Sequence, residues 1–365
     1  MECNTFVMLV EQCQDPRHAR GCRFGWAQLL WVIAAAMLSD QATPTAISQW
    51  VWEHAEVVHA VIGPRLPSSA TLRRTLQRLD VEAFAVQCRA VREAPAAGGL
   101  QVRAVDGKTV RGASTHGQPV PVVSEVVHGS GQVIQQGQVA TKSNEIPLVQ
   151  RMLAERDLHG LLLTVDAMHT QRATARSIIE QGGQYLMVVK DHQPELHQAI
   201  AEWFAQPAWN DEHPQDLTTL DKGHGRRELR TLHRRAVIGL PWEWPGVQHV
   251  LQRTCIRTNR RSGVTQTQVT YGITSLPWHQ ATAAQLEGWW RGHWHIENKV
   301  HYVRDVTWRE DAGQSWVGNT PVALTLLRNW LTDHLRRDGW TNIAQALRHF
   351  NAHPLAAFRS LGILS

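Results

Sequence analysis

The 365-residue chain is 43% apolar, which excludes intrinsic disorder and is enough for a substantial core with two or three subdomains. A formal net charge of +5 suits a polyanionic partner without requiring one. The five cysteines (Cys3, Cys13, Cys22, Cys88, Cys255) form no C-x-x-C pair and no regular framework, which argues for a reduced, cytoplasmic protein and against structural zinc.

Residues 1–95 read as a helical N-terminal domain. Trp26, Leu29, Leu30, Ile33, Ala34 and Met37 keep a helical period. The apolar run from Trp26 to Leu38 falls well short of the roughly twenty residues a bilayer span needs, so a core helix and no membrane partner are expected. Amphipathic segments beginning at Ala46 and Ser69 supply two more helices, the latter capped by Ser68 or Ser69. Arg73, Arg74 and Arg78 share one side of it, which is either a phosphate-contacting surface or an ordinary solvated face. Pro95 and Gly98-Gly99 then mark a connector.

From residue 96 strands take over. Runs at 101–105, 120–128 and 132–140 read as strands, the last two joined through the turn His128-Gly-Ser-Gly-Gln. A helix (145–155), a strand (161–165), a helix (170–181) and a strand (185–189) follow. Three antiparallel strands and then helix–strand–helix–strand is the order of an α/β, ribonuclease-H-like mixed sheet. A β-rich insertion at about 205–280 comes next, with alternating runs around a turn at Asn259-Arg-Arg-Ser-Gly. It is basic: no Asp or Glu falls between Trp244 and Leu286, where Arg253, Arg257, Arg260 and Arg261 lie, and Arg226 and Arg227 stand just upstream. A long helix is expected over 283–303, then two more near 320–335 and 342–350. In the long helix Leu286, Trp289, His293, Ile296, Val300 and Val303 make a core stripe. Trp290, Glu297, His301 and Arg304 make the adjacent one.

Three carboxylates stand out in this frame. Asp106 and Asp166 each close a short apolar run that reads as a buried strand, at the sheet edge where open α/β sheets place ligands. Glu297 lies beside the buried seam of the long helix, where a carboxylate needs a cationic partner: a metal ion, or a structural arginine. Glu310-Asp311 is the rival source of a third acid, in a less helical run. Two strand-end aspartates and a helical glutamate can hold a pair of hard divalent ions, a donor set suited to phosphodiester chemistry on nucleic acid.

These residues carry a resemblance. Val105-Asp-Gly-Lys-Thr-Val-Arg-Gly, Lys142-Ser-Asn-Glu-Ile-Pro with Thr164-Val-Asp-Ala-Met, and Arg291-Gly-His-Trp-His-Ile-Glu-Asn with Asp305-Val-Thr-Trp-Arg-Glu-Asp are similar to the three blocks of the bacterial insertion-sequence transposases of the H-repeat-associated (ISAs) family, a branch of the DDE transposases. Asp15-Pro-Arg, Arg20-Gly and the apolar helix after them resemble that family's N-terminal associated domain. The blocks span almost the whole chain in the expected order.

The resemblance implies a catalytic domain over 96–365 with Asp106, Asp166 and Glu297 as the acidic triad holding two metal ions, Mg²⁺ or, as a substitute, Mn²⁺. The related helix pattern Tyr-x2-Arg-x3-Glu-x6-Lys falls on Trp290, His293, Glu297 and Arg304, with Arg291 able to substitute for the arginine lost at His293. DNA contacts are expected from Lys142, Asn144, Arg226, Arg227, Arg253, Arg257, Arg260, Arg261, Trp290, Arg291 and Arg304. The implied activity is cleavage of double-stranded DNA at insertion-sequence ends and strand transfer into target DNA, by a homodimer in the synaptic complex. A metal-dependent nuclease without strand transfer and a DNA-binding relic without catalysis are the alternatives.

Overall fold

The computed structural model describes the chain except residues 1–4, 19, 21, 94–98, 116–117, 140–144, 155, 191, 207–216, 224, 238–242, 314–316 and 365, and the side chains of 5, 113–115 and 118. Six helices come first: α1 (Thr5–Glu11), α2 (Trp26–Leu38), α3 (Pro44–Glu53), α4 (Ala55–Ile62), α5 (Ser69–Arg78) and α6 (Val81–Arg92). Their starts follow local chemistry. The hydroxyls of Thr43 and Ser68 and the carboxylate of Asp80 accept the amides of Ala46, Thr71 and Ala83 in the first turn, where amides lack the usual intrahelical partner.

The strands and crossover helices follow as β1 (Gln101–Thr115), β2 (Gln118–Val127), β3 (Val133–Gln138), α7 (Glu145–Leu153), β4 (Leu161–Val165), α8 (Arg172–Glu180), β5 (Gln184–Val189) and α9 (Pro194–Ala205). Then come β6 (Leu217–Gly223), β7 (Arg226–Ala236), β8 (His249–Asn259), β9 (Thr265–Thr274) and α10 (Ala283–Gly292). Two π-helical turns, Glu297–His301 and Val303–Thr307, lead to α11 (Thr320–Arg337), α12 (Ile343–Ala352) and α13 (Pro354–Ser360).

All nine strands form one sheet in the order β3-β2-β1-β4-β5-β9-β8-β7-β6. The β3-β2-β1 pairs are antiparallel and the β1-β4-β5 pairs parallel, which is the ribonuclease-H-like arrangement. The basic strands, which stand in sequence between Asp166 and Glu297, join the main sheet. β9 pairs antiparallel with β5, so β9-β8-β7-β6 extend the same sheet on its far side.

Strand alternation decides what lies on each face. Val105, Leu163, Val165, Tyr185 and Met187 pack against the layer of α7, α8 and α9. Val102, Leu162, Leu186 and Leu251 turn the other way, onto Leu286 and Trp290 of α10, while Ala104 and Val126 meet Ile296 and Val300. The N-terminal helices share one apolar core with α11–α13, built around Trp50, Trp330 and Phe358. No helix among the described residues is long and apolar enough to cross a membrane.

Candidate active site

β1 pairs with β4 from Gln101↔Leu161 to Val105↔Val165 and no further, so Asp106 and Asp166 are the first residues past the parallel pair on adjacent strands. β1 runs on to Thr115 against β2, so Asp106 sits inside a strand, at the point where its other neighbour ends. By alternation Asp106 follows Val102 and Ala104, and Asp166 follows Leu162 and Thr164. Both carboxylates therefore belong to the face covered by α10 and the π turns.

The long helix expected over 283–303 is broken. Its α-helical part ends at Gly292, where an added Cβ would lie 2.5 Å from the His128 ring, and His293-Trp294 form a turn. The chain then continues in π register, with the Tyr302 amide bonded to the Glu297 carbonyl and that of Trp308 to Val303. π turns inside helices are frequent at functional sites. Here the turn carries Glu297 to the cleft with its side chain 54% exposed, and places His301 Nδ1 2.9 Å from Glu297 Oε2 and 3.9 Å from Asp106 Oδ2.

Donor atoms of Asp106, Glu297 and His301 all lie within 4.8 Å of one another, as ligands of one metal ion require. Burial, with the charge of Asp166 alongside, pushes the Asp106 carboxyl up to about 6. Glu297 is held below the usual carboxylate range, chiefly by its hydrogen bond with His301. Asp166 Oδ1 accepts the amides of Met168 and His169. Among the described residues, no arginine or lysine is ion-paired to any of the three acids. Crowded carboxylates without a cation fit a divalent ion, and the oxygen-rich donor set suits a hard one.

The rival acid is explained differently. Glu310 is buried, accepts bonds from Arg304 and Thr325, and is paired with Arg328, which hold its carboxyl down at about 2 although burial opposes this. It is a structural anion.

An open cleft of about 980 Å³ joins the three acids to the basic strands. Arg226 and Arg257 reach it half exposed, Arg253 lies on its wall bonded to Glu287 at 3.0 Å, and Arg291 stands on its rim 3.1 Å from Asp221. Sequence reasoning passed over Lys190 and Arg230, which also line it, Arg230 through ion pairs with Asp221 and Glu228. The signal was present: Arg226, Glu228 and Arg230 keep a strict two-residue period, which puts them on one face of β7.

Other expected DNA contacts are less accessible from the cleft or lie outside it. Arg227 lies on the opposite face of β7, beside Lys222 and Thr258, and Arg260 and Arg261 occupy the exposed β8–β9 turn away from the cleft. Arg304 is 1% exposed and spent on Glu310. A π turn holds more residues than the 3.6 of an α-helix, so the seventh residue after Glu297 no longer returns to its face. Trp290 lines the cleft but is only 8% exposed, packed in an apolar cluster with its ring filling the space over Gly272, where an added Cβ would lie 2.6 Å away. Trp294, on the cleft rim, is 69% exposed. His293 and His128 both bond the Thr164 hydroxyl at 3.0 Å, and burial drives them down to about 4 and 3, so they are neutral and His293 cannot clamp a phosphate as a cation. Lys142 and Asn144 lie outside the described residues.

Comparison with known proteins returns a consistent group. The profile "Transposase DDE domain" matches residues 97–315, and the DDE_Tnp_1-associated profile matches residues 8–90. YbfL and the H repeat-associated protein YhhI of Escherichia coli (strain K12), the latter named as a candidate transposase, are each 32% identical over 250 residues, 62% of this chain and 64% of theirs. YncI of Escherichia coli O157:H7, also named as a candidate transposase, is 28% identical over 287 residues, 74% of this chain and 71% of its own. The match thus spans just under two thirds of YbfL and YhhI. A cryo-EM structure of the piggyBac transposase synaptic complex with hairpin DNA aligns with 97% of this chain and 76% of its own at 11% identity, with a TM-score of 0.45, too loose a likeness to carry an argument.

Proposed function

From the premise that the chain belongs to the Transposase DDE domain family, we propose that its cleft cuts DNA at the ends of an insertion sequence and joins the freed 3′ ends to target DNA. The observation that carries this reading is the pairing of three acids that lack arginine or lysine partners with a cleft wall rich in arginine. Asp106, Asp166 and Glu297 are the catalytic carboxylates. Divalent cations, Mg²⁺ foremost, would supply Lewis-acid stabilisation of the leaving oxygen and a more acidic water when bound there.

The chain's own residues do the rest. Arg226, Arg257, Arg291 and Lys190 attract and register the phosphate backbone, whose charge supplies most of the affinity. Trp294 presents an aromatic face to a base beside the scissile phosphate. The buried, neutral His128–Thr164–His293 bridge fixes the strand end beneath Asp166 without adding charge to the site. Two copies of the chain, each holding one end, form the synaptic complex.

The test is an assay of cleavage and joining on DNA carrying the element's terminal repeats, with Mg²⁺ present. The expected result is cleaved and joined product from the wild type. Asp106→Ala, Asp166→Ala and Glu297→Ala should each lose cleavage while still binding DNA. Cleaved ends that are never joined would replace this reading by a nuclease, and full cleavage by Glu297→Ala would remove Glu297 from the site.

A further inference from the structure

The three family acids account for oxygen ligands only, and His301 is left over. Its side chain is 3% exposed, which is dry for a residue four positions from an exposed glutamate. It enters from the helix side with Nδ1 turned toward both Glu297 and Asp106. Asp166, the third acid, is not part of this close set.

We propose that His301 is a nitrogen ligand in the metal centre, which makes the two cation positions chemically unequal. Asp106 would be shared, one position being completed by Asp166 with oxygen alone and the other by Glu297 and His301 with mixed donors. This inference rests on the metal reading given above and adds to it an identity for one ligand and a preference for one ion.

Geometry supports the assignment. Ligand atoms roughly 2.0–2.2 Å from a cation stand at most about 4.4 Å from each other. The Asp106, Glu297 and His301 atoms, mutually within 4.8 Å, need only a small closure to meet that limit. The spacing also follows from the chain: residues four apart are neighbours along a helical face, so Glu297 and His301 form a preset chelating pair over the end of β1. On the far side of the ring, Nε2 has no hydrogen-bond partner among the described residues. Nothing there fixes the tautomer, so Nδ1 is able to hold a proton against Glu297 in the free protein and to offer its lone pair to a cation.

The donor type then sets the preference. Carboxylate and water suit Mg²⁺, while an imidazole nitrogen favours first-row transition ions over it. The position with Asp166 should exchange readily between Mg²⁺ and Mn²⁺, and the position with His301 should retain Mn²⁺ against excess Mg²⁺.

The experiment uses the full chain and Mn²⁺ as the probe, with no reaction needed. Equilibrium dialysis should find two Mn²⁺ per chain, of which millimolar Mg²⁺ displaces one. Pulsed EPR of the retained ion should show ¹⁴N modulation, replaced by a ¹⁵N pattern in protein made with [¹⁵N]histidine. His301→Asn, checked for a wild-type melting curve, should lose the modulation and bind the retained ion roughly tenfold more weakly. A retained Mn²⁺ without nitrogen modulation, or modulation that survives in His301→Asn, overturns the proposal and leaves His301 as a hydrogen-bonding support of Glu297. If that variant does not fold, the labelled wild-type spectrum decides alone. Absence of any Mn²⁺ binding would instead overturn the metal reading itself.

Discussion

Glu297 and Glu310 belong to neighbouring turns of one stretch of chain, yet their surroundings differ in kind. Glu310 is buried between Arg304 and Arg328 with a hydroxyl from Thr325, so its negative charge is fully met within the fold. Glu125 is treated the same way on β2, between Arg103 and Arg156. Glu297 and Asp106 meet at His301, with the charge of Asp166 beside Asp106, and among the described residues none of the three is ion-paired to an arginine or lysine. An acid already neutralised by arginine has nothing left to offer a cation, whereas acids crowded without one hold charge in reserve for a ligand. Under the proposed function this difference separates structural from catalytic carboxylates where sequence position alone does not.

The largest effects should come from exchanging the two roles. Glu297→Ala should abolish cleavage and leave stability within about 0.5 kcal/mol, as for an exposed substitution. Glu310→Ala should leave Arg304 and Arg328 buried and unpaired, a loss of about 3–5 kcal/mol seen as a lower denaturation midpoint. Cleavage per folded molecule in that variant should stay near wild type. Equal stability of the two variants would break the distinction.

The tryptophans repeat the contrast. Trp290→Ala empties a packed site over Gly272 and should cost about 3–5 kcal/mol of stability. Trp294→Ala should melt as wild type and weaken productive DNA binding by about 1–3 kcal/mol, the range for one stacked base. Thermal melting together with a cleavage-end binding assay checks both, and a drop in melting for Trp294→Ala would sharpen the boundary of the core.

Titration gives a third handle. The Glu310 carboxyl is held at about 2, below its ordinary 4.5, so it contributes stability that is complete above pH 4.5 and lost as pH falls toward 2. Acid unfolding followed by circular dichroism should therefore be less steep over that interval in Glu310→Gln than in the wild type. A smaller effect should mark the cleft wall. Arg257→Ala should weaken binding to all DNA sequences and lower the salt slope by about one contact, and Arg227→Ala, on the opposite face, should not.

How much of this was legible beforehand follows from how local each signal is. The mixed sheet was readable because apolar runs, turn residues and helix periods are short-range patterns, and Asp106 and Asp166 were readable because each ends such a run. Glu297 came with its helix. Arg304 turns inward onto Glu310 because the 3.6-residue period does not continue through the two π turns after Glu297, which propensity does not announce. That the basic strands continue the main sheet is not legible in sequence, because their pairing partner, β5, is distant along the chain. His301 stood in the expected stripe, but only tertiary structure shows its ring turned toward Asp106 across to another element.

The acids without arginine or lysine partners should bind metal, and the arginine-paired one should not. Calorimetric titration of Mn²⁺ into wild type, Asp106→Asn, Glu297→Gln and Glu310→Gln, each confirmed folded, tests it directly. The account predicts strong binding by the wild type and by Glu310→Gln, with binding lost or severely weakened in Asp106→Asn and Glu297→Gln. Undiminished binding by the two cleft variants would contradict it.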